Sequence, residues 1–384
     1  MPPRSRLEEM LSGKKNGLPL IDIGTTSLTG IREGAVPGLP KDSPLAHPVF
    51  RTIPLEPADC IRMGSDFIRT GLLYDPPVPE DERFIDVFGV EWLCNEEYPA
   101  PVGHPLENAG LADIVRHPRP PWLQPAQQVE PELFSSSIVI ADAPCPGLLE
   151  MCFMLRNTWQ FMDDVAENRS AASALLDWSL ETVISAYEYM LTSLANQPDI
   201  VIYNDDLGYQ DGMFFSPPDF RNYIRPRLRI LLTRLRNLTP AAICLHSCGS
   251  ISPILPDIAD LGVELLNLDT CSRGMEVMRL RRELPGSVVL HGATDLCALG
   301  EAVANRDKAS VAYLITELAQ SAPVIAGPVD NMSSAQEVLA AVRGAAFIRN
   351  LSDGGFEDLR RFGPVRSIIE EAIEKTLSGE SPNL

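Results

Sequence analysis

From Ser137 onward, short apolar runs alternate with amphipathic stretches, and that alternation constrains the fold more than any other feature. SIVIADAP (137–144), DIVIYNDDLG (199–208), AAICLHSCG (241–249), VELLNLD (263–269), SVVLHGATD (287–295) and APVIAGPVDN (322–331) read as strands. Runs such as IVIY and VVL lack polar alternation, as strands covered on both faces should. Between them lie helical patterns with apolar residues at i, i+3 and i+4. The clearest are the long stretch from Glu150 to Ala195, the arginine-rich DFRNYIRPRLRILLTRLRNL, SVAYLITELAQ and AQEVLAAVRGAAFIRN. Strand and helix alternate at least five times with short links, which specifies a parallel α/β architecture. Repeated units at this length favour a (β/α)8 TIM-type barrel over an open sheet. No G-x-G-x-x-G or G-x-x-x-x-G-K-[ST] follows any strand, which removes support for a nucleotide-binding sheet.

One barrel domain over 1–384 is expected. It comprises a loop-rich N-terminal elaboration with the first strand (1–136), repeated strand–helix units (137–350) and a C-terminal extension (351–384). GLPLIDIG (17–24) is the first strand, and FIDVFGVEW holds a short strand pair. The proline-punctuated stretch from Ala35 to Gln128 reads as a cap without a core of its own. The opening MPPRSRLEEMLSGKKNG reads as a short polar helix.

Composition limits the partners. Fifty-two acidic against 32 basic residues give a net charge of -20. Nucleic-acid binding needs clustered cations to displace counterions, and no basic run is present. No apolar stretch approaches the length of a membrane span, and the start lacks an apolar leader. A cytoplasmic protein with free thiols is therefore expected from the eight cysteines.

Polar residues gather where the strands end: Asp205 and Asp206, His246 and Cys248, Asp269, His291 and Asp295, Asp330 and Asn331. In a barrel these ends share one mouth, where active sites lie. The side chains of Asp206, His246, His291 and Asp330 are expected around one cavity there. His246 and Cys248 are i and i+2 on one strand, so both face the same way and can reach one metal. Imidazole with thiolate suits zinc better than magnesium or calcium. Cys244 shares their face but lies deeper, where it fills the interior. Of Asp205 and Asp206, one should point to the mouth and the other cap the next element. Tyr203, Tyr209, Met213 and Phe214 could form an apolar wall.

LHSCGSISPILPDIADLGVELLNLD, IYNDDLGYQDGMFFSPPDFRNYIRPRLRIL and VVLHGATDL resemble stretches of the uroporphyrinogen decarboxylase-like superfamily. LPLIDIGTTSLTGI, FGVEW and HPLENAGLADIVRHPRP resemble its methyltransferase-like branch. The resemblance implies a (β/α)8 barrel that moves a methyl group between a corrinoid, supplied by a partner protein, and a small-molecule donor or acceptor. It also implies zinc held by H-x-C and a distant cysteine, with a homodimer as a family expectation. His246 and Cys248 match the first two ligands. VIAGPVDNMSS, where the third is expected, has no cysteine. Cys271 is the expected substitute metal ligand, with Cys297 and Asp206 as further choices. Asp206, His291 and Asp330 are the expected catalytic residues. A decarboxylase of a tetrapyrrole-like or small acid is the alternative, although GTTSLTGIREG lacks the R-Q-A-G-R motif of true decarboxylases. A second alternative is a non-catalytic member that binds a corrinoid or tetrapyrrole.

Overall fold

The computed structural model describes residues 2–14, 17–24, 30–32, 35, 44–49, 52–94, 99–329, 331–351, 353–362 and 366–379. Eight parallel strands run in sequence order around a barrel. They are β1 (Leu20–Ile21), β2 (Phe67–Thr70), β3 (Ile138–Ala141), β4 (Ile200–Asn204), β5 (Ala242–Ser247), β6 (Leu265–Leu268), β7 (Val289–Asp295) and β8 (Val324–Gly327). The ladder pairs β8 with β1 through Leu20 and Ile325. The seam between β1 and β2 is closed by Asp66. Its N–H donates to the Ile21 carbonyl at 2.7 Å, and its carboxylate accepts from the Ile21 N–H at 2.9 Å.

Alternating side chains divide the strands into two apolar faces. Leu20, Phe67, Ile140, Ile202, Cys244, Leu265, Val289 and Ile325 fill the interior. Leu7, from the N-terminal helix Pro3–Leu11, joins the same cluster. Ile21, Ile68, Val139, Val201, Ile243, Leu266 and Leu290 face outward into the cluster shared with the helices. The expected fold, first strand, N-terminal helix and interior placement of Cys244 are all present.

Three expectations change. The N-terminal stretch supplies a second barrel strand, β2, which pairs with β3 from Phe67↔Ile138 to Thr70↔Ala141. Arg69 and Thr70 interrupt its apolar run and disguise it. The strand pair around Phe84–Trp92 is present but gains a third strand, Pro99–Gly103. The long helical stretch after Glu150 is three helices, Leu148–Arg156, Thr158–Glu167 and Arg169–Ser193. Asn157, at φ 71°, breaks the first from the second and caps the second by accepting from the Trp159 N–H. Among the described residues no helix is long and apolar enough to cross a membrane.

Helices Leu296–Ala304 and Ala335–Asn350 cross at two glycines. A Cβ on Gly300 would lie 1.8 Å from the Ala340 carbonyl oxygen, and one on Gly344 2.2 Å from that of Leu296. Gly300→Ala is expected to lower unfolding stability by about 1–3 kcal/mol through forced separation of the helices, read from urea denaturation.

His47 is fully buried, and its Nδ1 accepts from the Val49 N–H at 3.2 Å, which fits a neutral ring. Burial lowers its pKa from 6.5 to about 3. As pH falls through 6.5 the unfolded chain takes up a proton that the folded ring refuses, so stability is lost with acidification. The loss should reach about 2 kcal/mol between roughly pH 7 and about pH 5, and His47→Asn should remove that part of the slope.

Candidate functional site

Two residues further along seven of the eight strands, the interior changes character. Leu20, Phe67, Ile140, Ile202, Cys244, Leu265 and Val289 are followed at i+2 by Asp22, Arg69, Asp142, Asn204, His246, Asn267 and His291. Strand alternation turns these seven inward, one level nearer the C-terminal mouth. Most are joined. Arg69 donates to Asp22 at 2.8 Å, and His291 Nε2 meets the same carboxylate oxygen at 2.8 Å. Asn267 donates through Nδ2 to the His291 carbonyl at 2.7 Å. Its Oδ1 therefore faces His246 and accepts from the Nδ1–H at 2.5 Å.

This last bond decides the chemistry of His246. With the proton on Nδ1, Nε2 carries a free lone pair. Nε2 lies 3.4 Å from Cys248 Sγ and 3.9 Å from Asp206 Oδ1. Asp206 in turn accepts from the Cys248 N–H at 2.8 Å. One ligand atom from each of Asp206, His246 and Cys248 lies within 4.8 Å of the others. Imidazole nitrogen, thiol sulfur and carboxylate oxygen are donors that zinc accepts together. The outer partner that orients the imidazole is also present.

The surroundings are acidic. The Cys248 thiol is pushed well above its ordinary value by burial, then by Asp206, Asp269 and Glu150. Glu150 is likewise raised well above the usual carboxylate range, by burial and by Asp206 and Asp205. It accepts from Asn204 Nδ2 at 2.9 Å. Sequence reasoning missed Glu150 and Asn267. Neither has a local signal beyond its place, one behind a strand–helix turn and one in the inward register of β6.

Of the two adjacent aspartates one faces the mouth as expected, but the other caps an earlier helix rather than the next element. Asp205 is buried and caps helix Leu148–Arg156, accepting from the Leu149 and Glu150 N–H groups at 3.0 and 3.1 Å. Burial raises it to about 7. Asp206 takes the mouth position. The hairpin Gly208–Met213 crosses the end of β5, where Ser250 N–H donates to the Tyr209 carbonyl at 2.8 Å. Gly249, at φ 79°, permits this, since a Cβ there would lie 2.2 Å from the Gly208 carbonyl carbon. Phe214 meets Phe153 edge-on at 5.0 Å and Tyr209 at 5.8 Å. Tyr203 instead is buried and donates to Asp205 at 2.8 Å.

The other expected site residues lie elsewhere. Cys271 is exposed on the turn after β6, its N–H donating to Asp269 at 2.9 Å, and it is not in the metal-ligand group. Cys297 Sγ points to the Glu337 carbonyl at 3.5 Å. His291 is fully buried against Asp22 and Cys244. Asp330 lies outside the described residues. The eight cysteines form no disulfide.

The molecule is thus a (β/α)8 barrel protein whose mouth carries a nitrogen, sulfur and oxygen donor set. The chain matches Uroporphyrinogen decarboxylase (URO-D) over residues 120–328, more than half its length, and belongs to that family. It is 26% identical over 188 residues to the methylcobamide:CoM methyltransferase MtaA of Methanosarcina barkeri, covering 48% of this chain and 52% of that protein. The same enzyme from M. barkeri strain Fusaro is 25% identical over 181 residues, 46% of this chain and 50% of that one. The chain therefore spans about half the length of the curated relatives it matches. A methyltransferase from Methanosarcina mazei superposes with a TM-score of 0.59, at 18% identity over 90% of this chain and 98% of that one. That likeness is one of fold.

Asn267→Ala would release the His246 Nδ1 proton and let the ring turn or change tautomer. Zinc affinity, measured by competition with a chromophoric chelator, is expected to fall about ten- to a hundredfold while the fold is retained.

Proposed function

We propose that this protein is a methyltransferase that moves a methyl group between a corrinoid, carried by a partner protein, and a small-molecule donor or acceptor at the barrel mouth. The observation that carries this reading is the convergence of Asp206, His246 and Cys248 on one point, with the imidazole lone pair aimed at it. The similarity to two methylcobamide:CoM methyltransferases supports it. Of Cys271, Cys297 and Asp206, the three choices the sequence offered for the third ligand, Asp206 is the one whose position supports this reading.

Zinc held by these three residues would supply a Lewis acid able to lower a thiol's pKa or polarise an ether oxygen. The corrinoid would carry the methyl group. The chain's own residues prepare that chemistry. Asn267 holds His246 in the tautomer that offers Nε2. Asp206 orients toward the same point through the Cys248 N–H. Burial and the neighbouring carboxylates raise Glu150 well above the usual carboxylate range, which opposes a third anion beside Asp206 and Cys248. Phe153 packs on Phe214 and Phe214 on Tyr209 of the hairpin that crosses the end of β5, an apolar flank that would limit water at the mouth.

Purified protein is expected to contain about one equivalent of zinc, as suits a three-ligand site. His246→Ala and Cys248→Ser should lose metal and methyl transfer from methylcobalamin together, the latter by more than about a hundredfold. Asp206→Asn should weaken zinc, whereas Cys271→Ala should leave both properties unchanged. Wild-type protein with neither zinc nor turnover of methylcobalamin would move the decarboxylase and carrier readings ahead.

A further inference from the structure

Across the barrel from β5, the same polar level ends in an arginine that is only partly used. Arg69, on β2, donates through Nη2 to Asp22. Its Nε and Nη1 are buried and, among the described residues, donate to no protein atom. Its side chain is 11% exposed. Native structures rarely leave buried donors unmet, and a guanidinium is the most demanding of them.

Arg69 is among the residues lining a cavity of about 30 Å3 at the C-terminal ends of β1, β2 and β3. Ile31, Ile53, Leu55 and Leu72 form most of its apolar wall, and Asp142 is the carboxylate that shares it. A small volume, an apolar wall and a few convergent polar groups describe a site for one end of a small ligand. The competing reading is hydration, since a cavity of this size has room for about two waters.

We propose that Arg69 is a ligand-anchoring residue: its Nε and Nη1 receive an oxygen-acceptor head group, a carboxylate, sulfonate or carboxamide, whose apolar stem lies against Ile31, Ile53 and Leu72. The anchor rests on the methyltransferase reading only in that it calls this ligand the substrate. The cavity sits across the mouth from Asp206, His246 and Cys248, since β1 to β3 face β5 to β7 in an eight-strand ring. Asp142 acts on Arg69 electrostatically and opposes a second negative charge, so the choice between an anionic and a neutral head is open to measurement.

The probes are propionate, ethanesulfonate, propionamide and, as a control without a carbonyl or oxyanion, 1-propanol. Each is titrated against the full-length protein at constant ionic strength, with thermal unfolding as readout. At least one acceptor probe should raise the midpoint, and 1-propanol should not. Arg69→Gln should weaken that probe about ten- to a hundredfold, as expected for lost bonds from a charged donor, and Arg69→Lys should restore part of it. Asp206→Asn and metal-stripped protein should respond as wild type does, so the anchor can stand even where the zinc reading fails. No response in wild type, or an undiminished response in Arg69→Gln, overturns the proposal. Should the Arg69 variants not fold, wild-type crystals soaked in the same probes decide the matter. Head-group density within hydrogen-bond distance of Nε or Nη1 supports the anchor, and water alone at both nitrogens overturns it.

Discussion

A barrel interior that switches from hydrocarbon to hydrogen-bonding groups within one step along its strands is stabilised where its polar groups satisfy one another. Below the switch, Leu20, Phe67, Ile140, Ile202, Leu265, Val289 and Ile325 need no partners. Above it, Asp22, Arg69, His246, Asn267 and His291 are buried where an unpaired polar atom is costly. The solution is a chain of bonds passing from β2 through β1, β7 and β6 to β5. Each member fixes the next. Asp22 holds both Arg69 and His291, the His291 carbonyl fixes the Asn267 amide, and Asn267 fixes the His246 proton. The lone pair that would make His246 a metal ligand is thus a consequence of how the interior is satisfied.

The same logic explains what the sequence made legible. Strands covered on both faces have unbroken apolar runs, so β3 to β8 are visible as such. His246 and Cys248 are visible as a pair because alternation along one strand is a local rule. Asp205 and Asp206 must point apart for the same reason, and Tyr203 and the helix N–H groups then claim the first. What stayed hidden depends on partners distant in the chain. Arg69 makes β2 look like a loop until Asp22 is placed beside it. His291 sits on the inward face as expected, yet its partner is 269 positions away, in β1's continuation, and that partner decides its place. Cys271 lies just beyond a strand end, but a turn has no alternation rule, and its N–H folds back onto Asp269.

Charge around the donor set points the same way as its geometry. Three carboxyl groups, Asp206, Asp269 and Glu150, raise the Cys248 thiol on top of its burial. A thiol so placed is a poor nucleophile by itself, because thiolate reactivity requires a lowered pKa. The arrangement becomes favourable once a divalent cation lies among these groups, since a bound cation inverts the local pKa order and deprotonates a coordinating thiol. A cation and the protons favoured on these raised groups would thus compete for the same place.

Asp206 in place of a second thiolate keeps the formal charge of such a ligand set at two anions and one neutral imidazole. It changes the softness, because a carboxylate oxygen shares less of its charge with zinc than sulfur does. Cys248 is then the single soft donor, and discrimination against harder ions rests on that one sulfur. The hydrogen bond from the Cys248 N–H to Asp206 ties the two proposed ligands together, so a displacement of one is felt by the other. Asn267 acts on the third ligand, and Asp22 acts on Asn267 only through His291. The consequence is a graded dependence: metal affinity should be most sensitive to Cys248, less to Asn267, and least to Asp22, in the order in which each group's bonds reach the common point.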